Sequence, residues 1–316
     1  MYESLLQLDP IKINFSANGM HAINIVLSFI MFGVALGIQP KQFKELIISP
    51  KPLIIGIISQ ILLLPFVTFL LVILLSKFIT PTIAMGMILV AACPGGNISN
   101  FMSSYSKSNT ELSIGLTAST TTLATISTPF NFALWGSLYL NYITKHANNA
   151  ILQPLEIDNA QMFQTVFILL GIPLILGILF ANYFPNTTKK LIKPIQYLSI
   201  VFFMLMVVLA FSNNFHFFVK HIYYVFFIVL IHNALALSAG FSIATIFKLP
   251  NKDRRTITLE TGIQNSGLGL VLLFNPKIFP PDLALGGMLF ITAWWGIWHI
   301  ISGLTIATYW SKKSSN

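Results

Sequence analysis

Charge is what this 316-residue sequence has least of. Asp and Glu number 9 and Lys and Arg 18, so charged side chains make up 9% of the chain, against about 25% in soluble domains. With 55% hydrophobic residues and a mean hydropathy of +0.78, that scarcity excludes a soluble multidomain enzyme and a disordered chain. The single cysteine, Cys93, excludes a disulfide framework and a thiolate-rich metal site. A signal peptide is missing as well. Residues 1–18 have no basic start followed by an apolar run and a small-residue cleavage site, and read as an amphipathic surface segment or an ordered tail. Nor is there a basic stripe. The Lys and Arg residues sit in short loops between apolar runs, so the net charge of +9 carries no implication of nucleic acid.

What is present is a series of long apolar runs. A span needs about 20 mainly apolar residues to cross about 30 Å of hydrocarbon, and nine runs qualify: 19–38, 52–75, 83–107, 111–140, 161–184, 195–213, 222–247, 256–274 and 283–310. They predict helices, because lipid offers the backbone no hydrogen-bond partner. Continuous runs of this length do not fit the ten-residue alternation of a membrane barrel. The fold class expected is an all-α polytopic membrane protein.

With an odd number of spans the two ends face opposite sides. One side carries Lys41, Lys44, Lys51, Lys107, Lys189, Lys190, Lys193, Lys248, Lys252, Arg254, Arg255, Lys312 and Lys313. The other carries Lys12, Lys77, Lys145, Lys220 and Lys277. The excess of positive charge on cytoplasmic loops then predicts a C-terminus in the cytoplasm and an N-terminus outside, in a plasma or inner membrane.

The acids are more informative. All but two lie in the tail or the loops, and Glu111 fits the first turn of a helix, where a carboxylate meets the positive end of the helix dipole. Glu260 alone falls in an apolar interior. An ionised group at that depth costs at least about 2.5–3.5 kcal/mol, and no Lys or Arg lies within the spans to offset it. Glu260 is therefore protonated, hydrogen-bonded by neutral groups, or neutralised by a cation. Its surroundings, Thr258-Leu259-Glu260-Thr261-Gly262-Ile263-Gln264-Asn265-Ser266-Gly267-Leu268-Gly269, are poor material for a lipid-facing helix and predict one that unwinds partway across.

A second interruption, Ala92-Cys93-Pro94-Gly95-Gly96-Asn97-Ile98-Ser99-Asn100, stands in the third span, where Pro94 removes a backbone donor and two glycines weaken the helix. Two polar breaks at matching depth, one in each half, are the pattern of inverted-repeat transporters with midplane sites. Spans two to four and seven to nine are the expected pair. Ser59-Gln60 and His232-Asn233 echo one another in the second and seventh. In span four, Ser113 and Thr117 share a face that Thr121, Thr125 and Thr128 extend; Thr121 and Thr125 are expected to bond back to their own helix.

At these residues the chain resembles the bile acid:sodium symporter family. The resemblance is carried by Cys93-Pro94-Gly95-Gly96 through Ser99-Asn100, by Ser113 with Thr117, by Glu260 with Gly262-Ile263-Gln264-Asn265-Ser266-Gly267, and by Trp298-His299 before Ser302-Gly303. It runs from about residue 26 to Trp310. It implies a core domain (52–140 and 222–310) of two crossed, broken-helix repeats, moving against a panel domain (19–38 and 161–213), with a short cytoplasmic tail at 311–316. It also implies two Na⁺ sites. The first consists of Ser99, Asn100, Ser113, Thr117 and Glu260. The second consists of Gln60, Glu260 and Gln264 with the backbone carbonyls of Thr261 and Ile263. Substrate is implied near Gly96, Asn97, Asn265 and His299. Asn97, and Ile300 after His299, depart from the bacterial pattern and border this substrate region.

The function expected is sodium-coupled symport of an organic anion (bile acid-like, pantoate-like or a keto acid) by alternating access, with Na⁺ as coupling ion, no cofactor, and no nucleic-acid or obligate protein partner. Rival readings are a proton-coupled transporter, which needs paired interior carboxylates, and a metalloid exporter, which makes Cys93 the key residue. A channel is disfavoured by crossed breaks that close a midplane site. An enzyme is disfavoured because His232 and His299 lie on separate helices without Asp, Glu or Cys at ligand spacing.

Overall fold

The computed structural model describes residues 1–10, 25, 28–29, 31–33, 35–36, 50–146, 163–164, 167–212, 215–275, 278–280 and 283–313. Most of the first predicted span, 19–38, and of the join at 141–161 lies outside these residues, as do Lys12, Lys41, Lys44, Lys277 and Asp282. Among the described residues the protein is all helical apart from one isolated antiparallel bridge.

A short helix α1 (Tyr2–Leu6) opens the chain. Helix α2 (Pro50–Leu74) contains a wider π turn at Ser59–Leu63. Pro65, having no N–H, leaves the Ile61 carbonyl without its helical donor, and the Asn131 amide supplies one at 2.9 Å. Helices α3 (Pro81–Ala92) and α4 (Ile98–Tyr105) are the two halves of the interrupted third span. α5 (Thr110–His146) is the long polar helix, with Glu111 in its first turn. α6 (Ile172–Tyr183) follows a π turn at Phe167–Gly171. Then come α7 (Pro185–Ser212) and α8 (Phe215–Ile246). α9 (Asn251–Gly262) and α10 (Ser266–Leu273) are the halves of the second interrupted span, and α11 (Gly286–Lys313) closes the chain.

Among the described residues, three helices are long and apolar enough to cross a membrane unaided: Pro50–Leu74, Ile222–Ile246 and Gly286–Lys313. The half-helices cannot cross singly, since eight to twelve residues rise only about 12–18 Å at 1.5 Å per residue. They are instead enclosed. Every residue of α3 from Thr82 to Ala92 is buried, packed on α11 so closely that a Cβ on Gly86 would lie 2.8 Å from Met288 Cα. The large apolar core of α2, α3, α5, α8, α10 and α11 surrounds Met85, Phe132, Phe290 and Trp295. A smaller cluster joins Ala35, Ala118, Leu174 and Ile178.

Residues 1–10 pack as part of this body. Leu5 and Leu8 are fully buried in the large core. Asp9 Oδ1 accepts hydrogen bonds from the Thr80 hydroxyl at 3.0 Å and from the Thr82 hydroxyl, at the start of α3.

Candidate functional site

The two interrupted spans meet at their breaks. α3 ends at Ala92, where Cys93 turns extended (φ −73°, ψ 155°); α9 ends at Gly262, where Ile263 does the same (φ −111°, ψ 90°). The extended segments cross as one antiparallel bridge between Gly95 and Gln264. The Gly96 amide donates to the Ile263 carbonyl at 2.7 Å, and the Asn265 amide to the Pro94 carbonyl at 2.8 Å. Pairing satisfies backbone groups that each unwound helix leaves open, which is why non-helical backbone is tolerated at membrane depth only when enclosed. Asn265 caps α10 through Leu268 N at 3.1 Å, whereas the first turn of α4 after Asn97 has no side-chain cap.

Around this crossing the register of α5 against α9 is set by one polar clamp. The Thr256 hydroxyl exchanges hydrogen bonds with the Asn109 backbone N–H and C=O, both at 3.0 Å, and Asn109 Nδ2 donates to Asp253 at 2.8 Å. One turn onward on both helices, four residues after each member of the clamp, Ser113 faces Glu260 and donates to its Oε1 at 2.5 Å. Another turn along α5, Thr117 reaches the two carboxylate oxygens at 3.1 and 3.2 Å. The Ser99 hydroxyl, from the first turn of α4, donates to Oε1. Gln60 Nε2, from the π turn of α2, lies 3.5 Å from Oε2.

Glu260 is fully buried, and its hydrogen-bond partners among the described residues are hydroxyls and one amide. Those hydroxyls are oversubscribed. Each has one hydrogen to give, yet the same three also face other acceptors: Ser99 the Gly96 carbonyl at 2.8 Å, and Ser113 and Thr117 the Asn100 Oδ1 at 2.9 and 3.2 Å. The three hydroxyl hydrogens, with one Gln60 amide hydrogen and the Ser99 backbone N–H, thus serve Gly96 O, Asn100 Oδ1 and both oxygens of Glu260. More lone pairs than protons converge on one buried point carrying a single carboxylate, and a hard cation suits such a set of carboxylate, amide, hydroxyl and carbonyl oxygens.

The second group of oxygens adjoins Glu260 through Gln60, whose amide lies beside Oε2. Gln60 Oε1 accepts the Gly95 amide at 3.0 Å, and Gln264 Nε2 donates to the Thr261 carbonyl at 2.8 Å. Gln264 Oε1 is buried without a donor among the described residues, an orphaned acceptor whose cost, about 1–3 kcal/mol, a cation at this point would offset. All residues named for the two ion sites are therefore gathered at the crossing. The four named for substrate are less tightly grouped. Gly96 and Asn265 belong to the paired breaks, Asn97 is exposed beside them, and His299 is buried on α11 with its Nδ1 unpartnered among the described residues.

Four polar contacts were not legible in sequence. Ser59 and Thr261 share a 2.7 Å hydroxyl pair, Gln60 holds the Gly95 amide, Asn233 Nδ2 donates to the Gly262 carbonyl at 2.7 Å, and the Asn109 clamp sets the register. The pairing of His232-Asn233 with Ser59-Gln60 was the available signal. In α5 back-bonds to the carbonyl one turn earlier are made by Thr120, Thr122 and Thr144, with Thr125 reaching the Thr122 carbonyl. Cys93 is buried and packs 3.5 Å from where a Cβ on Gly269 would stand. No three His, Cys, Asp or Glu residues come together among the described residues.

Comparison with known proteins gives this arrangement a context. The sequence profile of the Sodium Bile acid symporter family matches residues 24–221. The chain is 32% identical over 291 residues to the uncharacterized sodium-dependent transporter YocS of Bacillus subtilis (strain 168), covering 92% of this chain and 83% of that protein. It is 25% identical over 278 residues to the probable sodium/metabolite cotransporter BASS2, chloroplastic, of Oryza sativa subsp. japonica, covering 85% of this chain and 62% of that one. To sodium/bile acid cotransporter 4 of Homo sapiens it is 27% identical over 273 residues, 85% of this chain and 59% of that one. The chain spans less than two thirds of the length of the last two.

Proposed function

The chain belongs to the Sodium Bile acid symporter family, and on that premise we propose that it imports an organic anion together with sodium by alternating access. The observation that carries this reading is the excess of acceptor oxygens around buried Glu260. Ser99, Asn100, Ser113, Thr117 and Glu260 hold one Na⁺. Gln60, Glu260, Gln264 and the carbonyls of Thr261 and Ile263 hold a second. Emptied of cations, the site leaves one carboxylate charge buried among neutral groups, which disfavours that state and couples cation entry to the geometry of the crossing.

The anion binds where the paired breaks leave the first turn of α4 uncapped, by Gly96, Asn97 and Asn265 with His299 from α11. The positive end of the helix dipole at this start attracts negative charge. The core, 52–140 and 222–310, moves against the panel, 19–38 and 161–213, with the N-terminus outside and the C-terminus in the cytoplasm. Two sodium ions and one monovalent anion cancel the charge of Glu260, so each import cycle carries one net positive charge inward, worth about 2.3 kcal/mol per 100 mV. The relatives' names point to bile acids and other metabolites, and the candidates are bile acid-like, pantoate-like and keto acids.

The test is uptake of a labelled panel of these anions by proteoliposomes. At least one anion is taken up under an inward sodium gradient, faster when the interior is negative. Equal uptake with potassium replacing sodium contradicts the coupling, and uptake indifferent to potential contradicts the stoichiometry.

A further inference from the structure

The last carbonyls of a helix lack intrahelical donors, and at the end of α9 they are treated differently from one another. Thr261 O is met by the Gln264 amide at 2.8 Å and Ile263 O by the Gly96 N–H at 2.7 Å. Each carbonyl oxygen has two lone pairs, so each keeps one for another partner. Gly262 O, between them, is taken by a group outside the crossing: Asn233 Nδ2 on α8, at 2.7 Å. The other end of the same amide, Oδ1, accepts the Ser302 hydroxyl of α11 at 2.6 Å, and Ser302 also lies 3.2 Å from the His299 carbonyl. Asn233 is 1% exposed. Turning its amide over would set the Oδ1 acceptor against the Gly262 carbonyl oxygen, which can only accept, so Gly262 fixes which way the amide points and the Ser302 hydroxyl braces it by donating to Oδ1.

We propose that Asn233 is a positioning residue for the cation centre: braced by the Ser302 hydroxyl, it draws the Gly262 carbonyl toward α8 and so holds the adjoining peptide planes with the Thr261 and Ile263 carbonyls aimed at the ion. The proposal rests on the sodium reading above and adds a partner outside the two ion sites. It also ties the break in α9 to α8 and α11, so that the ligand carbonyls keep their aim as those helices move together. Partners that orient metal ligands in this way typically change metal affinity by about 10–100-fold when lost.

The experiment is sodium-dependent thermal stabilisation of the purified full chain, with sodium exchanged for potassium at constant ionic strength. Asn233→Leu, which keeps the volume and removes the amide, raises the sodium concentration for half-maximal stabilisation about tenfold or more, in addition to the fall of Tm in potassium that the two lost buried hydrogen bonds bring. Ser302→Ala, a milder change outside the Gly262 contact, shifts the midpoint in the same direction by less. Parent-like sodium midpoints in the folded variants overturn the proposal, as does a fall in potassium Tm with no change in midpoint. If Asn233→Leu fails to fold, Ser302→Ala alone decides. A parent protein that sodium does not stabilise overturns the sodium reading itself, an outcome distinct from a stabilised parent with unshifted variants.

Discussion

Gly95 pairs with Gln264 across the two breaks, and the same glycine gives its amide to Gln60 at 3.0 Å. A side chain has no room here. A Cβ on Gly95 would lie 2.9 Å from Gln60 Oε1 and 3.0 Å from Glu260 Oε2, displacing two proposed ion ligands at once. Gly95→Ala is expected to raise the sodium concentration needed for half-maximal uptake by about tenfold or more. Gly96→Ala, whose nearest neighbour would be Gln264 O at 3.3 Å, is expected to shift it less. Sodium titrations of uptake for both variants check the order.

The N-terminal segment carries a pH dependence. Burial raises the Asp9 carboxyl above its ordinary pKa of 3.8, against the opposing hydrogen bonds from Thr82 and Thr80. A raised carboxyl binds its proton more tightly when docked than when free, so docking is favoured below the ordinary value and weakens as pH climbs through the raised one. The protection of the amides of residues 2–8 against hydrogen exchange, taken relative to the free-peptide rate at each pH, should therefore fall with rising pH over that window. Asp9→Asn, neutral throughout and still an acceptor for both hydroxyls, should flatten the dependence. An unchanged pH profile in Asp9→Asn would remove Asp9 as the cause.

Much of the site was readable because membrane depth makes polarity expensive: a lone interior Glu260, and Pro and Gly in two apolar runs, each require a compensating structure. The breaks at Pro94-Gly95-Gly96 and Gly262-Ile263 fall where those residues predict. Boundaries were less legible. α7 begins at Pro185 and runs through Pro194, ten residues before the apolar run, and α9 begins at Asn251, because a helix continues into polar surroundings that hydropathy does not register. The π turn of α2 was hidden for another reason. Pro65 explains the open Ile61 carbonyl, but the Asn131 amide that fills it is 70 residues away. Likewise Asn233 reads as an ordinary polar residue until Gly262, 29 positions on, is placed beside it.

The contact of α3 with α11 should govern stability without touching the ions. On Gly86 a Cβ would meet the Met288 backbone at 2.8 Å and Ile291 at 3.2 Å, and backbone cannot rotate aside as a side-chain end does. Gly86→Ala is expected to cost about 1–3 kcal/mol as overpacking, lowering Tm in detergent while the sodium midpoint of the folded protein stays where it was. A shifted midpoint with unchanged Tm would connect this contact to the ion centre instead.

The central claim is that the charge of Glu260 is balanced by sodium held among neutral oxygens. Glu260→Gln keeps the size and polarity of the side chain and removes that charge. The decisive measurement is anion uptake by proteoliposomes with and without a sodium gradient, for the parent and for Glu260→Gln inserted to the same level. The account predicts sodium-driven uptake in the parent and none in the variant. Uptake by Glu260→Gln that remains as sodium-dependent as the parent's would contradict it.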